Sequence, residues 1–499
     1  MNRLARSAIT ALLGLTCGCT VGPRYSRPSA PTPAPDAWKT QPPWQAAAPE
    51  DAIPKGTWWQ VFHDPALDGY EQQLLKANQS LEAARGRLDQ ARSLARVATA
   101  GLFPQLSTDP SAIRERGSGN RPLNGAAPTV FNGVTQTVPP YTESVYTVPF
   151  SVSYEVDLFG RVRRNVEAAN ASLQSTAADL QNVQLVLTAE MAADYFMLRE
   201  LDAEFNVVQE SVGYQRKGLD LVNNRHKGGV ASGLEVAQQA ALLDSTLSQL
   251  SLVQQSRAQY EHAIAMLLGE PASNFNIPAL PLNATPPPLP LGVPTDVLQR
   301  RPDISTAERQ MAYQNAEVGI ARTAFYPHIT LSGSGGWQSA EIAPLFNAPS
   351  LMWSLGVDAL EPIVQGGRNR ANLAAARAAY NQSVANYRQA VLTAFQEVED
   401  GISNLSTLSQ ALSTQSAAVE DARRALDIAN NRYVGGITTY LDVITAQTTL
   451  LSSERLKTQL LGQQMVSSVY LVKALGGGWD ASGVNGEQVH PQAGQILQP

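Results

Sequence analysis

Cysteine is nearly absent from this chain. Its 499 residues include two, Cys17 and Cys19, both at the end of a short N-terminal apolar stretch. With Cys19 acylated, the mature chain would hold no disulfide, and its stability would have to come from packing. Charge is sparse as well: 16% of residues are charged, the formal net charge is −6, and no basic run marks a nucleic-acid surface. The five histidines (His63, His226, His262, His328 and His490) are scattered without metal-ligand spacing. Gly333-Ser334-Gly335 lacks the strand-turn-helix context of a nucleophile elbow, and no glycine-rich loop cradles phosphate. Neither an enzyme nor a metal or other cofactor is expected, so any energy source belongs to a partner. Proline is missing between Arg161 and His226. A helix over that stretch would be roughly 99 Å long, more than a compact domain needs.

What is present is a duplication. Asn431-Arg432-Tyr433-Val434-Gly435-Gly436 reads as the tip of a helical hairpin, with Thr438 or Thr439 placed to cap the outgoing helix. Asn224-Arg225-His226-Lys227-Gly228-Gly229 repeats it 207 residues earlier (435 − 228). Arg161 and Arg368 open the incoming helices at the same offset, and Leu268-Gly269 and Leu475-Gly476 close the outgoing ones. Apolar residues recur every seven positions, as in Met191, Leu198, Phe205, Val212 and Leu219, and again in Val398, Leu405, Leu412, Val419 and Leu426. That spacing predicts coiled-coil-like packing. His226 reads as a solvated turn residue in preference to a pH sensor.

Arg3 and Arg6 precede a short apolar segment, Ala8 to Thr16, which is a signal peptide and not a membrane span. Its removal takes the net charge from −6 to −8 by loss of those two arginines. Gly18-Cys19 supplies the small residue and the cysteine of a lipidation site. Residues 19–65 then form a lipidated arm, rich in Pro and Ala over residues 26–56 and docked through Trp58, Trp59 and Phe62. The expected order beyond it is helices over 66–104, a strand pair over 105–157 and a long hairpin over 161–268. A proline-rich linker over 269–296 leads to helices over 297–327, a second strand pair over 328–359, a second hairpin over 366–475 and a tail over 476–499.

From Tyr146 to Val156 apolar and polar residues alternate, as they do around Leu331 and from Leu351 to Val357. Ten-residue alternating segments with aromatics fit transmembrane barrel strands, and a half-buried soluble sheet gives the same pattern. Four strands cannot close a barrel, and open edges are not tolerated in lipid. A membrane barrel would therefore be shared between chains, and three chains would supply twelve strands.

Cys19-Thr20-Val21-Gly22-Pro23, Asp157-Leu158-Phe159-Gly160-Arg161, Arg301-Pro302-Asp303-Ile304, both Gly-Gly tips and Ala474-Leu475-Gly476-Gly477-Gly478-Trp479 span nearly the whole mature chain. Together they resemble TolC-type outer-membrane efflux factors of the lipoprotein branch, the OprM- and NodT-like proteins. The resemblance implies a mixed α and β membrane protein: a homotrimeric twelve-stranded β-barrel in the outer membrane, continued by a twelve-helix tunnel across the periplasm. It implies a passive exit duct for small molecules, with a periplasmic adaptor (membrane fusion) protein and an inner-membrane pump, of RND type, as partners. A type I protein-secretion duct and a non-channel, lipid-anchored coiled-coil scaffold are the alternatives. The adaptor would dock on the tips, at Gly228, Gly229, Leu234, Gly435, Gly436 and Leu441, with the first glycine of each pair mattering more than the second. Asp442 matches one aspartate of the family's periplasmic gate, whereas the second gate position is Thr445. The gate is then one acidic ring at Asp442, or a weaker one held by Tyr433 and Arg432. Glu235 stands at the equivalent place in the first repeat, so acidity there is equally an ordinary feature of a helix start.

Overall fold

A computed structural model describes residues 20–27, 38–39, 57–119, 130–131, 134–135, 140–282, 284–287 and 300–477. Cys19, the signal segment and the C-terminal tail beyond Gly477 lie outside the described residues.

A 3₁₀ turn, Trp58–Phe62, leads into α1 (Pro65–Ala77) and α2 (Gln79–Ala100). Both helices are capped by side chains: Asp64 accepts from Ala66 and Leu67 N–H, and Asn78 accepts from Leu81 N–H. Asn78 also donates to the Leu267 carbonyl at 2.8 Å, fixing these helices to the first hairpin.

Strands β1 (Gln105–Thr108) and β2 (Ser111–Gly117) are two pieces of one row, interrupted at Asp109-Pro110, where Pro110 has no N–H for the ladder. Both pair antiparallel with β5 (Tyr141–Val156). A separate two-stranded ribbon joins β3 (Val130–Phe131) and β4 (Val134–Thr135). After the second helical unit come β6 (His328–Ser339) and β7 (Leu351–Leu360). The sheet order is β1/β2–β5–β6–β7, which leaves β1/β2 and β7 as edges. Strand β5 begins five residues before the alternation at Tyr146 because Tyr141–Val145 continues pairing with β2 beyond the reach of β6.

Register places like with like. Val148 faces Trp337, Tyr154 faces Leu331, and Leu331 faces Val357, making one apolar face. Ser151, Ser334 and Ser354 line up on the other, as do Glu155, Thr330 and Asp358. Within the chain, the apolar face is bare: Trp353 is 74% exposed and Leu355 81%.

The long helices are α3 (Arg161–Lys227) and α4 (Gly233–Leu267) in the first repeat, and α6 (Arg368–Val434) and α7 (Tyr440–Ala474) in the second. Between them, α5 (Pro302–Thr323) packs on both α3 and α6. All four ends of the long helices obey the 207-residue offset (368 − 161, 434 − 227, 440 − 233, 474 − 267), and α5 follows α2 at 223 (302 − 79). At 67 residues, α3 and α6 are each about 100 Å long. The heptad ladders face inward, with Met191, Leu198, Val212, Val398, Leu405 and Val419 buried.

The main core sits midway along the helices, where Trp58, Trp59, Phe62, Tyr195, Phe196, Tyr387 and Met465 meet. Trp58 Nε1 donates to Thr188 Oγ1 at 3.1 Å, so the arm docks by a buried hydrogen bond as well as by apolar area. No described helix is long and apolar enough to cross a membrane.

Candidate functional site

Two regions of the chain carry its candidate functional residues: the hairpin tips and the junction of strands and helices.

The two turns share three backbone hydrogen bonds. Gly228 N–H donates to the Asn224 carbonyl, Gly229 N–H to His226 and Val230 N–H to Arg225. Gly435, Gly436 and Ile437 repeat this onto Asn431, Tyr433 and Arg432. This is a Schellman ending, which needs a left-handed residue just past the helix. That residue is the second glycine of each pair, Gly229 at φ +75° and Gly436 at φ +72°. The left-handed geometry thus falls on the second glycine of each pair, while Gly228 and Gly435 have ordinary negative φ. A Cβ at Gly435 meets nothing nearer than 3.4 Å, whereas a β-branched residue at Gly436 is strained by about 1–2 kcal/mol although space is open around it. Gly436→Val should thus distort the tip and reduce efflux, with Gly435→Ala close to wild type, as read by compound susceptibility of cells. Equal susceptibility of the two variants would contradict this.

Leu234 and Leu441, equivalent in the two repeats, are 66% and 53% exposed beside these turns. Ser232 caps α4 by accepting from Glu235 N–H at 3.3 Å. The second repeat differs from expectation: neither Thr438 nor Thr439 accepts a backbone N–H there, and the Thr438 hydroxyl is spent on the Asp442 carboxylate. Asp442 and Arg432 are exposed.

Tyr433 is placed differently from its two companions. It is 6% exposed, with its ring 4.8 Å from that of Tyr440 and the Arg225 guanidinium 4.6 Å above it. Its hydroxyl donates to Glu235 Oε2 at 3.0 Å, across the seam between the two hairpins. Burial, and then the bond to Glu235, raise its pKa, so it remains a neutral donor at physiological pH. Glu235 and Asp442 are equivalent in sequence, yet one bonds across the seam and the other faces outward. The sequence carries one signal for this difference: Tyr433 is matched by His226, whose ring nitrogen Nδ1 instead lies 2.8 Å from the carbonyl of Ala231 in its own turn.

At the other end, Asp157 binds the start of α3, accepting from Val162 and Arg163 N–H at 3.1 and 2.9 Å. Arg161 is ion-paired with Glu155 at the end of β5. Residues 20–27 lie along this junction. Val21 N–H donates to the Phe159 carbonyl at 3.1 Å, and a side chain at Gly160 would run into Thr20. Farther along, Asn315 donates to the Pro23 carbonyl, and Tyr25 and Arg27 both reach Glu308. The motif from Asp157 to Arg161 is thus a seat for the N-terminal segment, a role its sequence did not disclose. Among the described residues no group of His, Cys, Asp or Glu is arranged to hold a metal.

A sheet with one bare apolar face and open edges, joined to paired hairpins of about 100 Å, is one subunit of a membrane channel that continues as a helical tunnel. The family model described as outer membrane efflux protein matches residues 71–270 and 293–477, and the chain belongs to that family. It is 33% identical over 482 residues to the pyoverdine export outer membrane protein OpmQ of Pseudomonas aeruginosa, covering 96% of this chain and 98% of that one. To the toluene efflux pump outer membrane protein TtgI of Pseudomonas putida it is 33% identical over 480 residues, covering 93% and 96%. Among solved structures, the outer-membrane channel OprN superposes with a TM-score of 0.83 at 29% identity, covering 92% of this chain and 100% of that one. The protein is an outer-membrane channel component of an efflux system.

Proposed function

We propose that three copies of this chain assemble into a passive exit duct that carries small organic molecules across the periplasm and outer membrane. The observation that carries the reading is the open four-row sheet: its edges and bare apolar face need both lipid and further copies of the same sheet. No catalytic step is assigned to the chain, and an inner-membrane pump of RND type supplies the energy. Exposed Leu234 and Leu441 beside the Gly228-Gly229 and Gly435-Gly436 turns are the surface offered to a periplasmic adaptor. Relatives named for pyoverdine export and for toluene efflux support a cargo of small organic molecules. A lipid on Cys19 fits the position of Thr20, which lies against Gly160 where strands give way to helices. Several acyl chains there would enter the inner leaflet at ~0.8 kcal/mol per methylene.

The resting gate is the seam at the tips. Tyr433 holds the second hairpin to Glu235 of the first, while three Asp442 carboxylates and the Arg432 side chains surround the entrance. Native mass spectrometry of the detergent-extracted chain should give a trimer whose subunit mass includes acyl chains on Cys19. A stable monomer, or an unmodified N-terminus, counts against those parts of the reading. In planar bilayers the protein should conduct. Tyr433→Phe should raise the closed-state leak several-fold, and Asp442→Asn should lower cation preference. Currents identical to wild type in both variants would reduce Tyr433 to packing and Asp442 to a helix-start acid.

A further inference from the structure

The long helices, like the strands, end in open rows. Their packed order is α6–α7–α3–α4, so α4 and α6 are the outer rows, as β1/β2 and β7 are in the sheet. The duplication says what belongs on them. Helix α3 packs on α4 as α6 packs on α7, and α2 packs on α3 as α5 packs on α6. Two further contacts of α3, with α5 and with α7, have no counterpart among the packed pairs within the chain. Their copies would join α6 to α2 and to α4. Within the chain α4 and α6 converge at the tips, where Tyr433 reaches Glu235, and above the tips α3 and α7 stand between them. A second copy of the chain can supply the missing contact.

Exposure marks the place. Val469 of α7 is 0% exposed in the main core, whereas its counterpart on α4, His262, is exposed. Gly462 is buried against Glu200, and its counterpart Gln255 is exposed. On the facing side, Leu185 of α3 is 9% exposed and its counterpart on α6, Leu392, 45%.

The seam within the chain sets the register. A side chain at Gly462 would run into Glu200, and one at Gly477 into Leu185. Both helices advance fifteen residues between these points (477 − 462, 200 − 185), so they run antiparallel in step, and Val469 falls opposite Ala193. Moved by 207 residues in opposite directions, that apolar pair becomes His262 on α4 and Asp400 on α6, a base and an acid. His262 has no hydrogen-bond or ion-pair partner among the described residues, and Asp400 accepts from Gln396 of its own helix at 3.3 Å. Trp38 packs on Phe395, the repeat equivalent of Thr188, which holds Trp58 beside the α3–α7 seam. The described arm residues therefore take the same side of both seams.

We propose that α6 of one copy seats against α4 of the next in this register, with His262 of one copy facing Asp400 of its neighbour. The contact rests on the trimeric reading, and it assigns the helices and the charged pair by which neighbours meet. It is a head-to-tail contact, of the kind that closes a ring. The seam within a chain carries Glu200, Glu204 and Arg455, whereas the equivalent places between copies hold Thr407, Ala411 and Ser248. His262 and Asp400 give this plainer seam charge complementarity, which fixes register more than it adds affinity.

The test combines His262→Cys with Asp400→Cys in the full chain, oxidises it in detergent with copper phenanthroline and reads a non-reducing denaturing gel. Covalent dimer and trimer should dominate and return to monomer on reduction. Each single variant should cross-link at least tenfold less, as should His262→Cys combined with Gln410→Cys, ten positions farther along α6 (410 − 400). Equal cross-linking through position 410 overturns the register. A trimer by native mass spectrometry that gives no cross-link in the paired variant overturns the contact and leaves the trimeric reading standing, whereas a native monomer overturns both. If the paired cysteines disturb folding, charge exchange decides. Asp400→Lys should lower the fraction of trimer surviving in dodecyl sulfate at least threefold, and adding His262→Glu should restore it. No loss, or a loss without rescue, overturns the pairing.

Discussion

Asp202→Ala is expected to destabilise the protein by about 3–5 kcal/mol, as removal of one partner from a buried ionic cluster does. The Asp202 side chain is 2% exposed and accepts three bonds: from Arg199 Nη1 at 3.1 Å, Arg257 Nε at 2.6 Å and Leu280 N–H at 2.9 Å. Arg199 is itself 6% exposed, and without Asp202 the partners it keeps among the described residues are neutral, the Pro278 carbonyl and Tyr195, whose ring lies 4.9 Å from its guanidinium. Arg257 keeps Glu261 and the Ile277 carbonyl. The penalty is therefore dominated by one buried guanidinium left without a counter-charge. The cluster also joins three separate parts of the chain, α3, α4 and the segment after the first hairpin, so its loss should loosen the connection between the repeats. Asp202→Asn keeps acceptors but loses the charge, and should fall between wild type and alanine. Thermal denaturation followed by circular dichroism in detergent reads the order. An alanine variant that melts within a degree or two of wild type refutes the assignment.

Glu200→Gln should have the opposite sign and grow with pH. Glu200 is 2% exposed on α3, one of its oxygens has no partner, and its pKa is raised to about 8. Burial is the main cause, followed by repulsion from Glu204 and a proton-sharing bond to it. Arg455 of α7 opposes the shift, but its ion pair is with Glu204. Tyr260 of α4 lies within electrostatic reach as well. Between the ordinary glutamate pKa near 4.5 and about 8, the unfolded chain has released this proton while the folded chain retains it. Stability is therefore lost as pH rises through that window and levels off above it, a total of about 5 kcal/mol at 1.36 kcal/mol per pKa unit. A glutamine imitates the protonated acid, donating to Glu204 without titrating. The melting temperature of the variant should match wild type near pH 4.5 and exceed it progressively up to pH 8. The variant will keep part of the wild-type slope, since Glu71, buried with both oxygens unpaired, and Asp194, raised to about 6, push the same way. A gap between variant and wild type that closes with rising pH would disprove the argument.

The alternation from Tyr146 to Val156, the proline-free heptads and the 207-residue offset were enough to define the class of fold: duplicated long hairpins joined to strands that cannot close alone. These are properties of period and spacing, which survive in one dimension because each residue's face follows from its place in the repeat. The sequence also located the tips, since a glycine pair between helices has few other uses. It could not say which glycine turns left-handed. That depends on where the last helical hydrogen bond forms, and the Schellman bonds put it on the second of each pair, Gly229 and Gly436. Nor could it separate Glu235 from Asp442, two acids at one repeat position. Only the packing of one hairpin against the other brings Tyr433 to Glu235 and leaves Asp442 outside. The seat of residues 20–27 on the Asp157–Arg161 corner belongs to the same category. It joins residues more than a hundred positions apart, and such contacts are set by how elements pack in three dimensions, which no local period encodes.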